Sequence, residues 1–319
     1  MNGITNVLSA APQQALMALR EAWKDCFNKK KGVPKFKKKG KRDSFTLEGT
    51  VKILGGNKIQ VPVIGVIKTY ERLPQVLIKS CTISRQADRW FISFRFDVET
   101  QKSEHTNVVG VDLGIKNLAT LSTGDVIAGA KSYKKYEAKL SKMQWLNRHK
   151  IIGSNNWKKA NLQIARLHRK IANIRKDTLH KLTTLLAKNH GTVVIEDLNV
   201  SGMLANQRLS KAISDMSFFE FRRQLTYKCE LYGSKLLVVD RWFPSSKTCS
   251  NCGIKKETLG LDERVFECGH CGFVIDRDLN AAINLSHCVA GEKLQGGFPS
   301  GQTSGVPPVV ASGVKNAVS

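Results

Sequence analysis

The chain has 319 residues, with 51 Lys and Arg against 26 Asp and Glu, giving a formal net charge of +25. A hydrophobic content of 41% with 24% charged residues excludes wholesale disorder, and the length allows one large core or two to three smaller ones. No apolar run approaches a membrane span, and Met1 to Leu19 lacks the order of a secretory signal, so a cytoplasmic protein is expected; the charge points to a polyanionic partner, nucleic acid first.

In chain order, the pattern predicts a helix over Gln13–Phe27 and a Lys-rich loop containing Gly32, Pro34 and Gly40. Period-two alternation follows in Phe45–Ile53, Lys58–Val63, Val76–Ser84 and Trp90–Val98, with turns at Gly55-Gly56-Asn57 and Gln86-Ala87-Asp88. These strands predict a small antiparallel barrel or sandwich. A second unit opens near Asn107 with a buried strand, Val108–Asp112, and another at Leu118–Leu121. Two basic helices come next; in the second, Ile164, Leu167, Ile171, Ile174, Leu182 and Leu185 form an apolar stripe backed by cations. Thr192–Asp197 predicts a strand, Phe218–Gly233 a helix, Lys235–Asp240 a strand, and Asp276–Leu285 a last helix. Beyond about Ala290 the Gly, Ser, Pro and Val content predicts a flexible tail, 291–319.

The charge is concentrated. Lys29 to Arg42 holds nine basic residues and no acid (Lys29, Lys30, Lys31, Lys35, Lys37, Lys38, Lys39, Lys41 and Arg42). Lys131 to His190 holds sixteen against Glu137 and Asp177, with Lys158, Lys159, Arg166, Arg169 and Lys170 as candidate contacts. The two segments account for +23 of the +25. Like charges at this density repel unless an anion neutralises them, which favours nucleic-acid surfaces over merely solvated faces.

Cys249, Cys252, Cys268 and Cys271 stand as C-x2-C-x15-C-x2-C, each pair followed by a glycine, Gly253 or Gly272. This is the spacing of a four-thiolate zinc ribbon. Four protein ligands leave no open position, so the expected Zn2+ is structural. Cys26, Cys81, Cys229 and Cys288 are scattered and read as ordinary small residues.

Three carboxylates, Asp112, Glu196 and Asp278, end elements that are otherwise apolar and lie 84 and 82 residues apart. Acids on a phosphate path weaken attraction unless divalent metal compensates, and two Mg2+ ions held this way can drive in-line phosphodiester cleavage. Successive strand residues alternate faces, so Asp197 is expected to meet solvent or an N-terminal amide rather than share the site of Glu196. Asp276, about 200° from Asp278 around a helix, suits a cap. Ala281 and Ala282 let the last helix approach the sheet, and Gly110 and Gly114 allow close approach of backbone or phosphate around Asp112.

The segments Val108–Ala119, Val194–Leu198, Ser245–Gly253 and Asp276–Ala282 resemble the signature segments of the TnpB/OrfB proteins of bacterial insertion sequences, relatives of the type V CRISPR effectors. The resemblance spans about residues 10–290. It implies an α/β RNase H-like (RuvC) nuclease domain at 105–290, with a basic helical insertion at 131–190 and a zinc ribbon at 245–273. It also implies a wedge-like antiparallel β-barrel domain at 1–104. By position, the implied nuclease acids are Asp112, Glu196 and Asp278 and the zinc ligands are the four ribbon cysteines. The implied activity is RNA-guided cleavage of double-stranded DNA, with guide RNA and target DNA as partners. The family's further N-terminal strand and helical segment have no counterpart before Ala10, so the barrel is expected to lack a strand and leave an unpaired edge.

Two other readings remain at this stage: a catalytically idle or truncated nucleic-acid binder, and a DNA-strand-transferring transposase in which a 3′-hydroxyl replaces water. The sequence has no His-x-His pair with a partnered tyrosine, which argues against a single-strand tyrosine transposase.

Overall fold

The computed structural model describes residues 3–289 except 37, 39, 41, 42, 49, 50, 63, 101 and 261, with side chains from Ala11 onward. Lys37, Lys39, Lys41, Arg42 and the tail 291–319 therefore lie outside the described residues. The chain divides into two compact units. One comprises residues through Val98 together with Lys150–Arg169; the other comprises Glu99–His149 and the described residues from Lys170 on. Among the described residues no helix is long and apolar enough to cross a membrane.

In the first unit, helix α1 (Gly3–Phe27) runs through Pro12, whose missing N–H is what sets the sequence-based boundary at Gln13. Six strands follow: β1 (Ser44–Glu48), β2 (Lys52–Gly55), β3 (Lys58–Val61), β4 (Gly65–Lys68), β5 (Ser80–Gln86) and β6 (Arg89–Arg95). They pair antiparallel as β1-β5-β6 and β2-β3-β4. The expected strand Phe45–Ile53 is thus two strands in different sheets. Strand β4, mostly exposed and without alternation, has no period-two signal to find. Gly55 and Gly56 turn the chain at φ +105° and +59°, a region open to glycine. Leu47, Ile59, Val61, Cys81, Ile83 and Phe94 pack into one buried cluster beneath both sheets.

The second unit is built on β7 (Val108–Leu113), β8 (Ala119–Leu121) and β9 (Val126–Ile127), followed by helices α2 (Ser132–Arg148) and α3 (Asn155–Asn189). Next come β10 (Thr192–Glu196), α4 (Val200–Ala205), α5 (Ser210–Met216), α6 (Phe218–Tyr232) and β11 (Lys235–Val239). The hairpin β12 (Val265–Glu267) and β13 (Val274–Asp276) leads into α7 (Arg277–His287). The sheet order is β11-β10-β7-β8-β9. Strands β7, β10 and β11 run parallel, whereas β8 is antiparallel to β7 and β9.

Strand alternation sorts this sheet into two faces. Val109, Val111, Val193 and Ile195 join Leu179, Leu182, Leu186, Phe221 and Leu225 of α3 and α6 in the main core. On the other face, Val194, Leu237 and Val239 pack with Leu285 of α7. Gly110 belongs to that second face: a Cβ there would stand 2.0 Å from the Ala282 carbonyl oxygen and 2.6 Å from the Ser286 amide. Only glycine lets α7 seat this close. In α3 the stripe departs from expectation at Leu185, which is 44% exposed; Leu186, four residues after buried Leu182, takes the core position.

Candidate functional site

Val111 lies opposite Ile195 in the parallel pairing of β7 and β10, so the next residues, Asp112 and Glu196, stand side by side at the carboxyl ends of the two strands. Both share the α7 face with Gly110 and Val194. Asp278, in the first turn of α7, is near enough for its negative charge to act on Asp112, as does that of Glu196, but the three carboxylates are not drawn together into a group that could hold one ion as they stand. All three carboxylates are half-buried. Burial first, then the charges of Asp278 and Glu196, push the Asp112 carboxyl up to about 7. Glu196 is raised to about 6, by burial and then by the charge of Asp197. Asp276 caps α7 instead, accepting from the Asp278 and Leu279 amides at 3.0 and 3.1 Å.

Asp197 is partly exposed, as expected, but its carboxylate is engaged by cations rather than by a helix amide. It turns to the α6 face and forms ion pairs with Arg222 of α6 and with Arg241, just after β11. Its carboxyl is accordingly held below the usual range, chiefly by the hydrogen bond from Arg241. Neither arginine carries a sequence signal, because both lie in segments read as ordinary helix and loop.

The four ribbon cysteines converge: their sulfur atoms all lie within 4.8 Å of one another, the one such group of candidate ligands among the described residues. The Cys249–Cys271 and Cys252–Cys268 separations are 3.7 and 3.6 Å. A tetrahedron with metal–sulfur bonds of about 2.3 Å requires about 3.8 Å between sulfurs, so the set fits Zn2+. Each knuckle turns on a glycine with positive φ, Gly253 (+74°) and Gly272 (+70°). The Gly253 and Gly272 amides donate to the Cys249 and Cys268 carbonyls at 2.9 Å each. The Cys271 amide, then the His270 amide, draws the Cys268 thiol down to about 6, while its neighbour Cys252, 3.6 Å away, is pushed up to about 12. Strand pairing extends the ribbon hairpin past 273, to Asp276. Buried Asn280 and Asn284 of α7 donate to the Thr248 carbonyl at 2.7 and 2.6 Å, and Asn284 also donates to the Ser245 carbonyl at 2.7 Å. The helix carrying Asp278 is thereby fastened to the base of the ribbon. Two asparagines on an otherwise apolar helix face are the legible trace of this contact.

Comparison with known proteins identifies the lineage. A family model described as "Probable transposase" matches residues 91–207, and one described as "Cas12f1-like, TNB domain" matches residues 218–285. A "Putative RNA-guided DNA endonuclease" of Streptomyces pristinaespiralis is 41% identical over 293 residues, covering 88% of this chain and 72% of that protein. The chain belongs to the TnpB/OrfB family. Another family member, InsQ of Escherichia coli K12, which carries the same description, is 36% identical over 90% of this chain and 77% of its own length. Among solved structures, a Cas12f1–sgRNA–target DNA complex superposes with a TM-score of 0.55 at 17% identity, over 87% of this chain and 71% of that one. Together with the strand order, this gives the TnpB/OrfB chain an RNase H-like nuclease fold.

The basic residues of this TnpB/OrfB chain divide by their partners. Lys29, Lys30, Lys35, Lys38, Lys158 and Lys159 are exposed. Lys31 pairs with Asp25 at 2.6 Å. Arg166 pairs with Asp88 at 2.8 Å, and Arg169 donates to the Gln86 carbonyl at 3.0 Å, so both hold α3 to the β5–β6 turn. Lys170 lies 5.0 Å from the centroid of the Tyr136 ring. Charge counting in a sequence cannot separate such internal fasteners from open cations.

Proposed function

We propose that the chain is an RNA-guided DNA endonuclease of the TnpB type, cutting phosphodiester bonds at the edge shared by Asp112, Glu196 and Asp278. One observation carries the reading: Asp112 and Glu196 stand side by side at parallel strand ends, and burial first, then the charges of Asp278 and Glu196, raise the Asp112 carboxyl to about 7 within a protein of net charge +25. The names of its TnpB/OrfB relatives supply the guided mode of action and the DNA target.

The donors are all oxygen, which suits Mg2+. When bound, divalent ions would activate a water and neutralise charge on the phosphate. The protein's share is positional. Parallel register sets Asp112 and Glu196 side by side on rigid strand ends, and the close contact of Gly110 with Ala282 and Ser286 seats α7, the helix that carries Asp278, against the sheet. Zn2+ at Cys249, Cys252, Cys268 and Cys271 would be structural, keeping the ribbon in shape against α7. The basic run 29–42 and the insertion 131–190 would hold the backbone of a guide–target duplex while base pairing selects the sequence. The N-terminal sheets would act as the wedge-like domain, residues 1–104, alongside the nuclease domain at 105–290.

The test is to purify the chain with the RNA it carries, sequence that RNA, and offer duplex DNA matched or unmatched to it in Mg2+. Cutting confined to matched duplex is expected. Bound RNA without cutting would instead favour the idle binder.

A further inference from the structure

Beside Glu196, on the α6 face of the sheet, lies a cavity of about 510 Å3. That volume falls within the roughly 300–1,000 Å3 typical of small-ligand sites. Its apolar wall is made by Leu113, Ile195 and Leu198 with Val200 and Leu204 of α4 and Phe218 of α6. Arg222 and Arg241 stand among the lining residues and share the single carboxylate of Asp197, while Glu196 also lines the cavity, so the two guanidinium groups are balanced by two carboxylates at its rim. Phe219, also in the lining, is 71% exposed, and Trp242, next to Arg241, is 84% exposed. Neither ring is needed by the core. Apolar walls, exposed aromatics and arginines together are the composition of surfaces that bind single-stranded nucleic acid, where bases stack and phosphates meet guanidinium groups.

We propose that this cavity receives one unstacked base of a single DNA strand, next to the phosphate presented at Glu196. The inference rests on the nuclease reading above and adds a subsite to it. A strand crossing the edge of the sheet would leave its phosphate on the carboxylate side and turn a base toward Phe219, with Arg222 and Arg241 on the adjoining phosphate. A base held there fixes the strand's position along the edge, which three carboxylates alone do not. An apolar peptide would fit the walls but brings no phosphate for Arg222 and Arg241, and a folded duplex has no free base to offer.

The experiment uses the RNA-bound full chain and a single-stranded DNA oligonucleotide carrying one 2-aminopurine, in Ca2+ so that cutting is suppressed. Wild type is expected to bind with a fluorescence change. Phe219→Ala, and Leu204→Glu, which puts a carboxylate into the lining, should weaken binding about five- to tenfold and remove that change. Val126→Ala, on the distant strand β9, should do neither. In a second arm, an abasic position is stepped along the cut strand of a matched duplex in Mg2+. One position should slow wild-type cutting by about tenfold while Phe219→Ala cuts all positions alike. Unchanged binding and fluorescence in both cavity variants, with Asp112→Ala still abolishing cutting, would overturn the subsite and leave the nuclease reading standing. If the wild-type complex cuts nothing, the nuclease reading fails, and the fluorescence arm alone decides the cavity.

Discussion

Asp112 is the residue on which chemistry and stability pull in opposite directions. Its carboxyl is held near 7 in the folded chain against an ordinary 3.8, because burial and the charges of Asp278 and Glu196 disfavour ionisation. The folded state therefore keeps a proton that the unfolded chain releases. That contribution to stability is complete below about pH 4 and is lost as pH rises past about 7, a difference of up to about 4 kcal/mol. Asp112→Asn should raise the melting temperature at pH 8 in Mg2+-free buffer by about 2–8 °C, and the gain should vanish near pH 4. Added Mg2+ should stabilise wild type more than the variant. Chelator is left out of this measurement, since it would also remove any zinc held by the four cysteines. A pH-independent difference between the two proteins would remove the electrostatic explanation.

Elements, in turn, depend on contacts that lie far apart in sequence. Helix α2 begins at Lys131 in a left-handed conformation with no side-chain cap of its own. Buried Asp215 of α5 supplies one across the fold, accepting from the Ser132 hydroxyl and the Tyr133 and Lys134 amides at 3.0 to 3.3 Å. Asp215→Ala should cost about 2 kcal/mol and speed hydrogen exchange in the first turn of α2 before the rest of the unit. Uniform protection across α2 would show that Asp215 does not cap it. In the ribbon, Cys268→Ser should bring zinc content below one ion per chain. It should also loosen α7 through Asn280 and Asn284, read as lost amide protection in both segments. A variant retaining one tightly held zinc would contradict the four-thiolate site. These contacts mark the limit of sequence reading. The cysteine spacing, the strand-end acids and the Asp276 cap are local patterns, and they were legible. The Asp215 cap, the Asp197 bracket with Arg222 and Arg241, and strand β4 depend on partners or pairings that no local period records. Leu185 failed for a related reason: a stripe fixes a helix face only to within one neighbouring position.

At the scale of the whole molecule, the net charge of +25 resolves into functions of different kinds. Some cations hold the protein together, as Arg166 and Arg169 do on the β5–β6 turn, and Arg222 and Arg241 do on Asp197. Others are exposed in the run that starts at Lys29. Replacing Lys29, Lys30, Lys35 and Lys38 together by Ala should reduce the slope of log affinity for RNA against log salt by about 2–4, without lowering the melting temperature. An unchanged slope would make that run an ordinary solvated face. The fold itself was readable because the pattern of two parallel strands ending in acids, a ribbon and a capped helix recurs in order along the chain. What remained hidden was the cavity on the α6 side of the sheet, which Glu196 also lines. The most direct measurement is single-turnover cutting of matched duplex DNA by the RNA-bound chain in Mg2+, comparing wild type with Asp112→Ala, Glu196→Gln and Asp278→Asn at equal DNA occupancy. Each substitution should slow cutting by about a thousandfold or more while DNA binding stays within about twofold; a variant that cuts within tenfold of wild type would contradict the assignment of the three carboxylates.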